Sequence, residues 1–429
     1  MADFIVKGKN RAFSGEITPP GDKSVSHRAV ILGSLARGKT RAGGFLASRD
    51  TLATVNAFQN MGVSVQARAG ALEISGKGLF GLKPPRGTIN AENSGTTARL
   101  LSGLLSAQKF SCEITGDSSL RSRPMSRVTV PLRMMGALIS AQEEKLPLRI
   151  KGSPLQGIDY RTPVASAQVK SALLLAGLYA SGRTSVTEPE RTRDHTERML
   201  RYFGVPVETS GTRVSVSPGD SFAATELEIP SDISSAAFFI VAALINPGSE
   251  IMVRSVGLNV LRTGALDILG EMGADISIEN RRECCGEPVG DVIARHSALR
   301  AVRIEGDFVS RAIDELPVIS VAACFAEGET VISGAGELRV KETDRISAMT
   351  GELSKLGADI RETEDGMVIN GTGELRGARC ASRGDHRVAM SLTVAATRAW
   401  GETVVEDTGC VSISFPEFFS LFEALSKGK

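Results

Sequence analysis

Basic side chains stand at the starts of several helix-like segments of this chain. The segments begin DKS at residues 22–24, NSG at 93–95, SAQ at 166–168, DIS at 232–234, DE at 314–315 and DHR at 385–387. Helix capping explains the Ser, Asn and Asp residues of this set. It does not explain Lys23, Arg28 or Arg387, because a cation at a helix start opposes the helix dipole. Free backbone amides beside such cations form an anion site, so the pattern predicts a polyanionic ligand.

Further charged residues occur in three other segments. Lys341 and Arg345 are four positions apart, which would place both on one helix face beside Glu342. A solvated helix face laced with salt bridges explains this spacing equally well. Arg123 follows a strand-like segment and is expected on a turn, whereas Arg193 is expected at a capped helix start. These residues would add cations and one carboxylate to the predicted site.

A repeat of about seventy residues positions these segments. Six helix-like segments rich in small and apolar residues start near residues 27, 97, 169, 236, 317 and 388. Between them a second helix is expected to end at a glycine, before an alternating strand, at Gly62, Gly136, Gly204, Gly273 and Gly357, and a sixth copy spans residues 423–428. Each repeat therefore contains at least two helices and several short strands.

The repeats predict an α/β protein of two similar globular domains with three repeats each. We expect one domain at residues 22–229 and the other at residues 1–21 together with 230–429. Segments containing Pro mark both crossings, at residues 19–21 and 228–231. A single solenoid of six repeats is the alternative, but neither end of the chain shows a polar capping repeat.

Composition disfavours several classes of protein. The longest apolar run covers only residues 236–245, the N-terminus resembles no signal peptide, and the formal net charge is +1 without a block of Lys or Arg. Six cysteines and four histidines lack the spacing of a disulfide framework or a zinc site. We therefore expect a cytoplasmic monomer without metal or cofactor, and neither nucleic acid nor membrane as a partner.

Seven segments resemble motifs of the EPSP synthase family of enolpyruvyl transferases, in the family's order. They are PGDKSVSHR at 20–28, NSGTTAR at 93–99, GDSSLRSRPM at 116–125, SAQVKS at 166–171, RVKETDR at 339–345, DHR at 385–387 and SFPEFF at 414–419. The resemblance implies two domains of three βαβαββ repeats each, an inside-out α/β barrel, which close over an active-site cleft. It also implies transfer of the enolpyruvyl group of phosphoenolpyruvate to the 5-hydroxyl of shikimate 3-phosphate, with release of phosphate.

The resemblance assigns residues to the two substrates. Shikimate 3-phosphate would bind Lys23, Ser24, Arg28, Ser166, Ala167, Gln168, Arg193, Asp314 and Lys341. Phosphoenolpyruvate would bind Lys23, Gly95, Arg123, Gln168, Arg345 and Arg387. Such a reaction needs one base and one acid, and we expect Asp314 as the base and Glu342 as the proton donor, with Lys23 touching both substrates. Lys341 is the alternative proton donor.

Two positions depart from the family pattern. Glu92 stands where the family usually has Gly, so the backbone of that loop is open to difference. Ile413 stands where some members have a Lys that contacts phosphoenolpyruvate. Gly95 matches members that are inhibited by glyphosate, a competitor of phosphoenolpyruvate in this family, and therefore predicts sensitivity.

Two other functions fit the sequence less well. The sister transferase that acts on UDP-N-acetylglucosamine has a reactive Cys where this chain has Ser118. A non-enzymatic scaffold that binds anions would explain the repeats and the cations, but not Asp314 and Glu342.

Overall fold

The computed structural model describes residues 3–8 and 12–426, which divide into two compact units. Unit 1 comprises Met1–Pro20, Pro230–Arg282 and Pro288–Lys429, and unit 2 comprises Gly21–Ile229 and Glu283–Glu287. The chain therefore passes from one unit to the other four times. The last two passages enclose a segment of only five residues, which unit 2 takes from a distant part of the sequence.

The helices found in the described residues have the following bounds. The α-helices are α1 Lys23–Leu35, α2 Arg49–Asn60, α3 Gly95–Leu105, α4 Ser118–Ser122, α5 Ser126–Met134, α6 Ala167–Gly177, α7 His195–Tyr202, α8 Ile233–Ile245, α9 Gly264–Glu271, α10 Asp307–Ala312, α11 Leu316–Ala323, α12 Arg345–Lys355, α13 His386–Ala396 and α14 Phe418–Ser426. Two 3₁₀-helices are η1 Gly336–Val340 and η2 Thr408–Ile413.

The strands are short and numerous. They are β1 Phe4–Lys7, β2 Ser14–Ile17, β3 Arg37–Gly43, β4 Ser64–Arg68, β5 Ala71–Lys77, β6 Ile89–Asn90, β7 Ser111–Thr115, β8 Leu138–Gln142, β9 Lys145–Lys151, β10 Asp159–Arg161, β11 Thr184–Thr187, β12 Val207–Ser210, β13 Arg213–Val216, β14 Glu226–Glu228, β15 Glu250–Gly257, β16 Asp275–Cys284, β17 Glu287–Arg295, β18 Arg303–Ile304, β19 Gly328–Ile332, β20 Asp359–Glu362, β21 Met367–Gly371, β22 Leu375–Arg376, β23 Arg379–Ala381, β24 Ala399–Trp400 and β25 Glu402–Glu406.

The repeated helices predicted from the sequence are confirmed as α1, α3, α6, α8, α11 and α13. The second helix of each repeat also ends where expected, because a glycine with positive φ follows α2, α5, α7, α9 and α12. These are Gly62 at +88°, Gly136 at +97°, Gly204 at +80°, Gly273 at +85° and Gly357 at +85°. Glycine adopts this left-handed conformation without a steric penalty. In the sixth copy α14 ends at Ser426, and the predicted residues 427–428 lie outside the described residues.

Unit 2 contains three four-stranded sheets with one strand pattern. Their orders are β6-β7-β9-β8, β10-β11-β13-β12 and β14-β3-β5-β4, and in each the first pair is parallel and the other pairs are antiparallel. The parallel pairs require a helical crossover, which α3 and α6 supply in the first two sheets. The third sheet obtains its first strand from the far end of the unit, with Leu227 opposite Ala42.

Unit 1 repeats this plan with strands from the N-terminal segment. Its four-stranded sheets are ordered β2-β15-β17-β16 and β18-β19-β21-β20, and a third sheet is ordered β1-β25-β23. Ile17 of β2 lies opposite Val253 in a parallel pair, and Phe4 of β1 lies opposite Val405 in an antiparallel pair. A further two-stranded sheet joins β22 and β24. The N-terminal strands thus complete two sheets of unit 1.

The repeated helices form the core of each unit. All thirteen residues of α8 are buried, as expected for a helix that is apolar on every face. In unit 2, α3 packs closely on α6, because a Cβ atom added at Gly103 would lie 2.1 Å from the carbonyl oxygen of Ala172. None of the helices in the described part of the chain has the length and apolar character of a membrane span.

Candidate active site

In unit 2 the first predicted site residues lie at the start of α1. The side chain of Asp22 accepts a hydrogen bond from the Val25 amide at 2.9 Å and so caps the helix. Lys23 follows as the first helical residue, and its Nζ lies 3.1 Å from Oδ2 of Asp50 in α2. Ser24 is half-buried beside it. The cap thus leaves a partly exposed ammonium group at the helix start.

Arg28 lies one turn further along α1 and is buried. Its Nε donates to Thr196 Oγ1 at 2.7 Å, its Nη2 to Ser171 Oγ at 2.8 Å and its Nη1 to the Ser24 carbonyl at 2.9 Å. Burial lowers the pKa of Arg28 to about 10, which still leaves it charged at neutral pH. Arg28 therefore ties α1 to α6 and α7, and its role as a direct ligand of a substrate stays a prediction.

The start of α6 supplies three more predicted residues. Ser166 caps this helix by accepting from the Val169 amide at 3.4 Å, and Ala167 begins it. Gln168 Nε2 donates to Thr96 Oγ1 at 3.1 Å, and Gln168 Oε1 accepts from Arg99 Nη1 at 2.9 Å. Gln168 is therefore fixed against α3. Arg99 was missed as a candidate from the sequence, although it ends the NSGTTAR motif.

Gly95 and Arg123 lie close together near the start of α3. Gly95 begins α3, after the cap formed by Ser94. Arg123 follows the short helix α4, and its Nη2 donates to Asn93 Oδ1 at 3.0 Å and to Ser119 Oγ at 3.1 Å. An added Cβ at Gly95 would lie 3.8 Å from Arg123 Nη1. These two residues, both predicted from the sequence for one substrate, are therefore neighbours.

Glu92 has a left-handed backbone, with φ of +52°. A glycine adopts this conformation most easily, and the family usually has Gly at this position. Two bonds with Asn90 hold the loop, since the Glu92 amide donates to Asn90 Oδ1 at 2.9 Å and Glu92 Oε1 accepts from Asn90 Nδ2 at 2.6 Å. The side chain of Glu92 is thus directed to a local amide.

A buried chain of hydrogen bonds connects α1 to the start of α3. His27 Nδ1 lies 2.7 Å from Thr54 Oγ1, which lies 2.7 Å from Thr97 Oγ1, and Thr97 Oγ1 donates to Ser94 Oγ at 2.8 Å. Burial lowers the pKa of His27 well below its ordinary value, and the charges of Lys23 and Arg28 lower it further. His27 is therefore neutral at physiological pH.

Arg193 lies half-buried two residues before α7 begins at His195. The predicted helix start is confirmed, but the helix has no side-chain cap: Asp194 precedes it, and Asp194 Oδ1 instead lies 2.9 Å from Arg198 Nε. The next residue, His195, has its Nδ1 2.7 Å from Oε1 of Glu287. Glu287 belongs to the five-residue tip of the β16–β17 hairpin, which the contacts assign to unit 2. At the same tip the Gly286 carbonyl accepts from Arg198 Nη1 at 2.9 Å.

In unit 1 the predicted residues surround Arg345, the first residue of α12. Its guanidinium is 1% exposed and contacts three carboxylates, with Nε 2.8 Å from Asp385 Oδ2, Nη2 2.6 Å from Glu342 Oε2 and Nη1 3.3 Å from Asp314 Oδ1. Burial alone would lower the pKa of Arg345, but the three carboxylates outweigh it and raise the pKa. Arg345 therefore remains charged.

Arg387 joins the same cluster from the first turn of α13. Its Nη1 donates to the Asp314 carbonyl at 2.8 Å, and its Nη2 lies 3.9 Å from Asp314 Oδ2. Asp385 caps α13 by accepting from the Arg387 amide at 2.8 Å. Asp314, Glu342, Arg345 and Arg387, which the sequence predicts, are thus brought together, and the buried Asp385 is the member that the prediction left out.

The prediction that Lys341 and Arg345 share one helix face is wrong. Lys341 follows η1 with extended backbone, and α12 begins only at Arg345, so the two side chains stand on different elements. The Asp344 side chain causes this late start, because it accepts from the Ser347 amide at 3.0 Å and caps α12. Ile413 ends η2 and is half-buried.

A second polar network joins the starts of α8 and α11. Arg262 Nη2 donates to Asp232 Oδ1 at 3.0 Å and to Ser234 Oγ at 2.9 Å, and Ser234 donates to Glu315. Glu315 Oε1 in turn lies 3.8 Å from Arg387 Nη1. Arg262 was missed from the sequence because it lies far from any capping motif.

The predicted residues of the two units differ in charge. Those in unit 2 are cations and neutral groups, namely Lys23, Ser24, Arg28, Gly95, Arg123, Ser166, Ala167, Gln168 and Arg193. Those in unit 1 are Asp314, Lys341, Glu342, Arg345 and Arg387. Two of these five, Asp314 and Glu342, are carboxylates. Unit 2 is thus suited to hold anionic groups, and unit 1 combines cations with two carboxylates, the type of group that general acid–base chemistry uses. Among the described residues, no group of His, Cys, Asp or Glu side chains is arranged to hold a metal ion.

These features define an α/β protein of two units with three repeated helices each, in which several helix starts carry side chains suited to anionic small molecules. The sequence profile described as "EPSP synthase (3-phosphoshikimate 1-carboxyvinyltransferase)" matches residues 7–422. The chain belongs to the EPSP synthase family.

Relatives and solved structures extend this similarity over nearly the whole chain. The 3-phosphoshikimate 1-carboxyvinyltransferases of Geobacter sulfurreducens and Methylococcus capsulatus are each 55% identical to this chain over 97% of its length, and the matches cover 97% and 96% of those proteins. The EPSP synthase structure from Acinetobacter baumannii matches with a TM-score of 0.90 at 48% identity, over 99% of this chain and 98% of that one. The predicted fold class and family are therefore confirmed.

Proposed function

We propose that this enzyme transfers the enolpyruvyl group of phosphoenolpyruvate to the 5-hydroxyl of shikimate 3-phosphate. The products would be 5-enolpyruvylshikimate 3-phosphate and phosphate. Membership of the EPSP synthase family supports the reaction type. The observation that carries the proposal at the level of the site is the cluster in which Arg345 contacts Asp314, Glu342 and Asp385.

This cluster has the groups that the reaction needs. Arginine binds planar carboxylates and phosphates through paired N–H groups, and Arg345 and Arg387 would bind phosphoenolpyruvate in this way. The side chains of Asp314 and Glu342 are 15% and 22% exposed, whereas Asp385 is fully buried. An anionic substrate that reaches Arg345 would therefore replace Asp314 or Glu342 as its partner and leave the structural pair with Asp385 in place.

Carboxylates released from Arg345 become available for proton transfer. The oxygen of the 5-hydroxyl would form a bond to C2 of phosphoenolpyruvate, and Asp314 would accept the proton that this hydroxyl loses. Glu342, which would take up a proton from solvent once it has left Arg345, would donate that proton to the methylene carbon, C3, which makes C2 electrophilic, and Lys341 is the alternative donor. The tetrahedral adduct would then lose a proton from C3 and expel phosphate, which restores the vinyl group.

The substrates would draw their ligands from both units. Lys23, Arg28 and Arg193 would bind the phosphate and carboxylate of shikimate 3-phosphate, with Ser24, Ser166, Ala167 and Gln168 as neutral ligands. Asp314 and Lys341 would contact the same substrate from unit 1. Gly95, Arg123 and Gln168, together with Lys23, would bind phosphoenolpyruvate with the two arginines of unit 1.

A phosphate-release assay tests the function directly. The protein is mixed with phosphoenolpyruvate and either shikimate 3-phosphate or UDP-N-acetylglucosamine, and inorganic phosphate is measured over time. We expect phosphate release when the acceptor is shikimate 3-phosphate, and none when it is UDP-N-acetylglucosamine. Release only with the nucleotide sugar would indicate the sister transferase, and binding of both substrates without release would indicate an anion-binding scaffold.

We further propose that the enzyme works as a monomer in the cytoplasm. Its six cysteines all carry free thiols, and burial raises the pKa of the Cys112 thiol to about 11 and that of Cys324 to about 12. Such thiols are protonated and unreactive, which suits a reducing compartment. Sedimentation equilibrium tests the monomer, since the expected mass is 45.3 kDa.

A further inference from the structure

A tight turn gives Glu287 its place in unit 2. Strand β16 ends at Cys284 and β17 begins at Glu287, so only Cys285 and Gly286 form the loop between the two strands. Their φ angles are +46° and +80°, and a two-residue turn of type I′ needs positive φ at both positions. The Cys285 side chain is buried in the core of unit 2. The tip is therefore a short and anchored turn, from which the Glu287 side chain extends.

The Glu287 side chain meets the first residue of α7. Its Oε1 lies 2.7 Å from His195 Nδ1, and the two side chains are 1% and 3% exposed. A carboxylate accepts hydrogen bonds and does not donate them, so His195 donates from Nδ1. Nε2 of the same ring is buried and has no hydrogen-bond partner among the described residues. Because α7 also lacks a side-chain cap, Glu287 supplies the side-chain hydrogen bond that holds the first residue of this helix.

The start of α7 is connected to two predicted ligands of shikimate 3-phosphate. Thr196, the second residue of α7, accepts a hydrogen bond from Arg28 Nε at 2.7 Å. Arg193 lies two residues before the helix begins. Burial lowers the pKa of Arg28, and the carboxylate of Glu287 is among the groups whose charge opposes this effect. A change at Glu287 would therefore reach both arginines through the first turn of one helix.

We propose that Glu287 is a positioning residue, which acts through His195 to hold the start of α7 in the place that binding of shikimate 3-phosphate needs. In the proposed function, on which this inference rests, Arg28 and Arg193 bind that substrate. Without the Glu287 carboxylate a buried imidazole N–H group would lack its acceptor, and the start of α7 would shift to relieve the cost. Arg28 and Arg193 would move with it, whereas the arginines proposed for phosphoenolpyruvate stand on other elements.

The test separates the two substrates by steady-state phosphate release. The KM for each substrate and kcat are measured for the unmodified protein, Glu287→Ala and Glu287→Gln. In Glu287→Ala the KM for shikimate 3-phosphate should rise about tenfold, the scale of one lost hydrogen bond that involves a charged group. The KM for phosphoenolpyruvate should stay unchanged. Glu287→Gln keeps an oxygen that can accept from His195 and should restore part of the binding.

Two further variants control for effects unrelated to His195. Glu283→Ala is the matched control, because Glu283 is a glutamate of the same tip with an exposed side chain, and this variant should leave both KM values unchanged. Glu287→Ala combined with His195→Ala completes a double-mutant cycle. The double variant should bind shikimate 3-phosphate no more weakly than His195→Ala alone, since no imidazole remains for the carboxylate to hold.

Each outcome is assigned in advance. Absence of phosphate release by the unmodified protein would refute the proposed function itself. With an active protein, an unchanged KM for shikimate 3-phosphate in Glu287→Ala, or equal rises of both KM values, would overturn the inference. A lower thermal midpoint with both KM values unchanged would do the same, because the role of Glu287 would then be structural only. If Glu287→Ala does not fold, Glu287→Gln decides: a rise in the KM for shikimate 3-phosphate alone supports the inference, and no rise overturns it.

Discussion

The carboxylate partners of two buried cations differ in their exposure to solvent. Lys170 Nζ lies 2.7 Å from Glu188 and 2.8 Å from Glu197, and all three side chains are 2% exposed. Arg345 is equally buried, but two of its three carboxylate partners reach the surface. Removing a partner from a buried pair is costly, so of these carboxylates only Asp314 and Glu342 can give way to a ligand without loss of the fold.

At the residue scale we predict that Asp314→Ala and Glu342→Gln each lower kcat by about 10²-fold, the usual contribution of a general acid or base. Steady-state phosphate release measures this. Lys23→Met should mainly raise KM, because it removes a charge expected to face both substrates. Near-normal turnover in either carboxylate variant would contradict its assigned role, and normal turnover in Glu342→Gln would direct attention to Lys341.

A second prediction concerns the neutral His27. Its pKa in the folded protein lies well below the unfolded value of 6.5, so below pH 6.5 the unfolded chain binds a proton that the folded protein does not. Stability contributed by the neutral ring is therefore present above pH 6.5 and is lost as the pH falls below it. Between pH 7.5 and 5.5 the loss should be on the order of 1 kcal/mol.

The measurement is the free energy of unfolding by urea at both pH values. His27→Gln should lack this part of the pH dependence, so the unmodified protein should lose on the order of 1 kcal/mol more than the variant. The same loss in both proteins would show that His27 becomes protonated within the fold.

At the scale of elements, the cap residues of α12 and α13 contribute differently to stability. Asp385 caps α13 and also pairs with the buried Arg345, whereas Asp344 caps α12 and pairs with the partly exposed Arg339. A cap alone contributes about 1 kcal/mol, and a surface ion pair adds little. The start of α13 is therefore more firmly fixed than that of α12, although the two sequences begin with the same residue type.

We predict that Asp385→Ala lowers the free energy of unfolding by about 3 kcal/mol or more, because it removes a cap and a buried charge partner together. The matched variant Asp344→Ala should cost about 1 kcal/mol. Denaturant unfolding of both variants gives the comparison. Equal losses would mean that the Arg345–Asp385 pair contributes nothing beyond the cap.

The sequence predicted these elements better than it predicted their contacts. The six buried helices follow from runs of small and apolar residues, and the five helix ends follow from glycines that need positive φ. Arg345 was recognised, but Asp314 and Asp385 are 31 and 40 positions away from it, so no local spacing indicates their contacts. Lys341 was misplaced for the opposite reason, since a spacing of four suggested a helix that a cap at Asp344 delays.

At the scale of the whole molecule, aromatic residues separate the two units spectroscopically. The single Trp, Trp400, belongs to unit 1, and the three Tyr residues, Tyr160, Tyr179 and Tyr202, belong to unit 2. Tryptophan and tyrosine signals therefore follow the unfolding of the two units separately in one sample. The boundaries of these units depend on strand pairs such as Phe4 with Val405, which join distant parts of the sequence.

We predict that shikimate 3-phosphate stabilises both units, because its proposed ligands are divided between them. At a concentration of 100 times Kd the gain should be about 2.7 kcal/mol, seen as a higher midpoint for the tryptophan and the tyrosine transition alike. Phosphate ion at the same concentration is the control. A shift in only one of the two signals would show that the substrate binds a single unit.

The hairpin tip at Glu283–Glu287 has a consequence for attempts to divide the gene. A fragment that encodes residues 21–229 would lack the Glu287 carboxylate that meets His195 and the Cys285 side chain that is buried in the core of unit 2. The protein fragment would therefore expose an apolar cavity where Cys285 packs, and the imidazole of His195 at the start of α7 would lose its contact with Glu287. An autonomous version of this half needs the five residues grafted back, and a split-gene pair cut at residue 229 has to deliver them from its second piece.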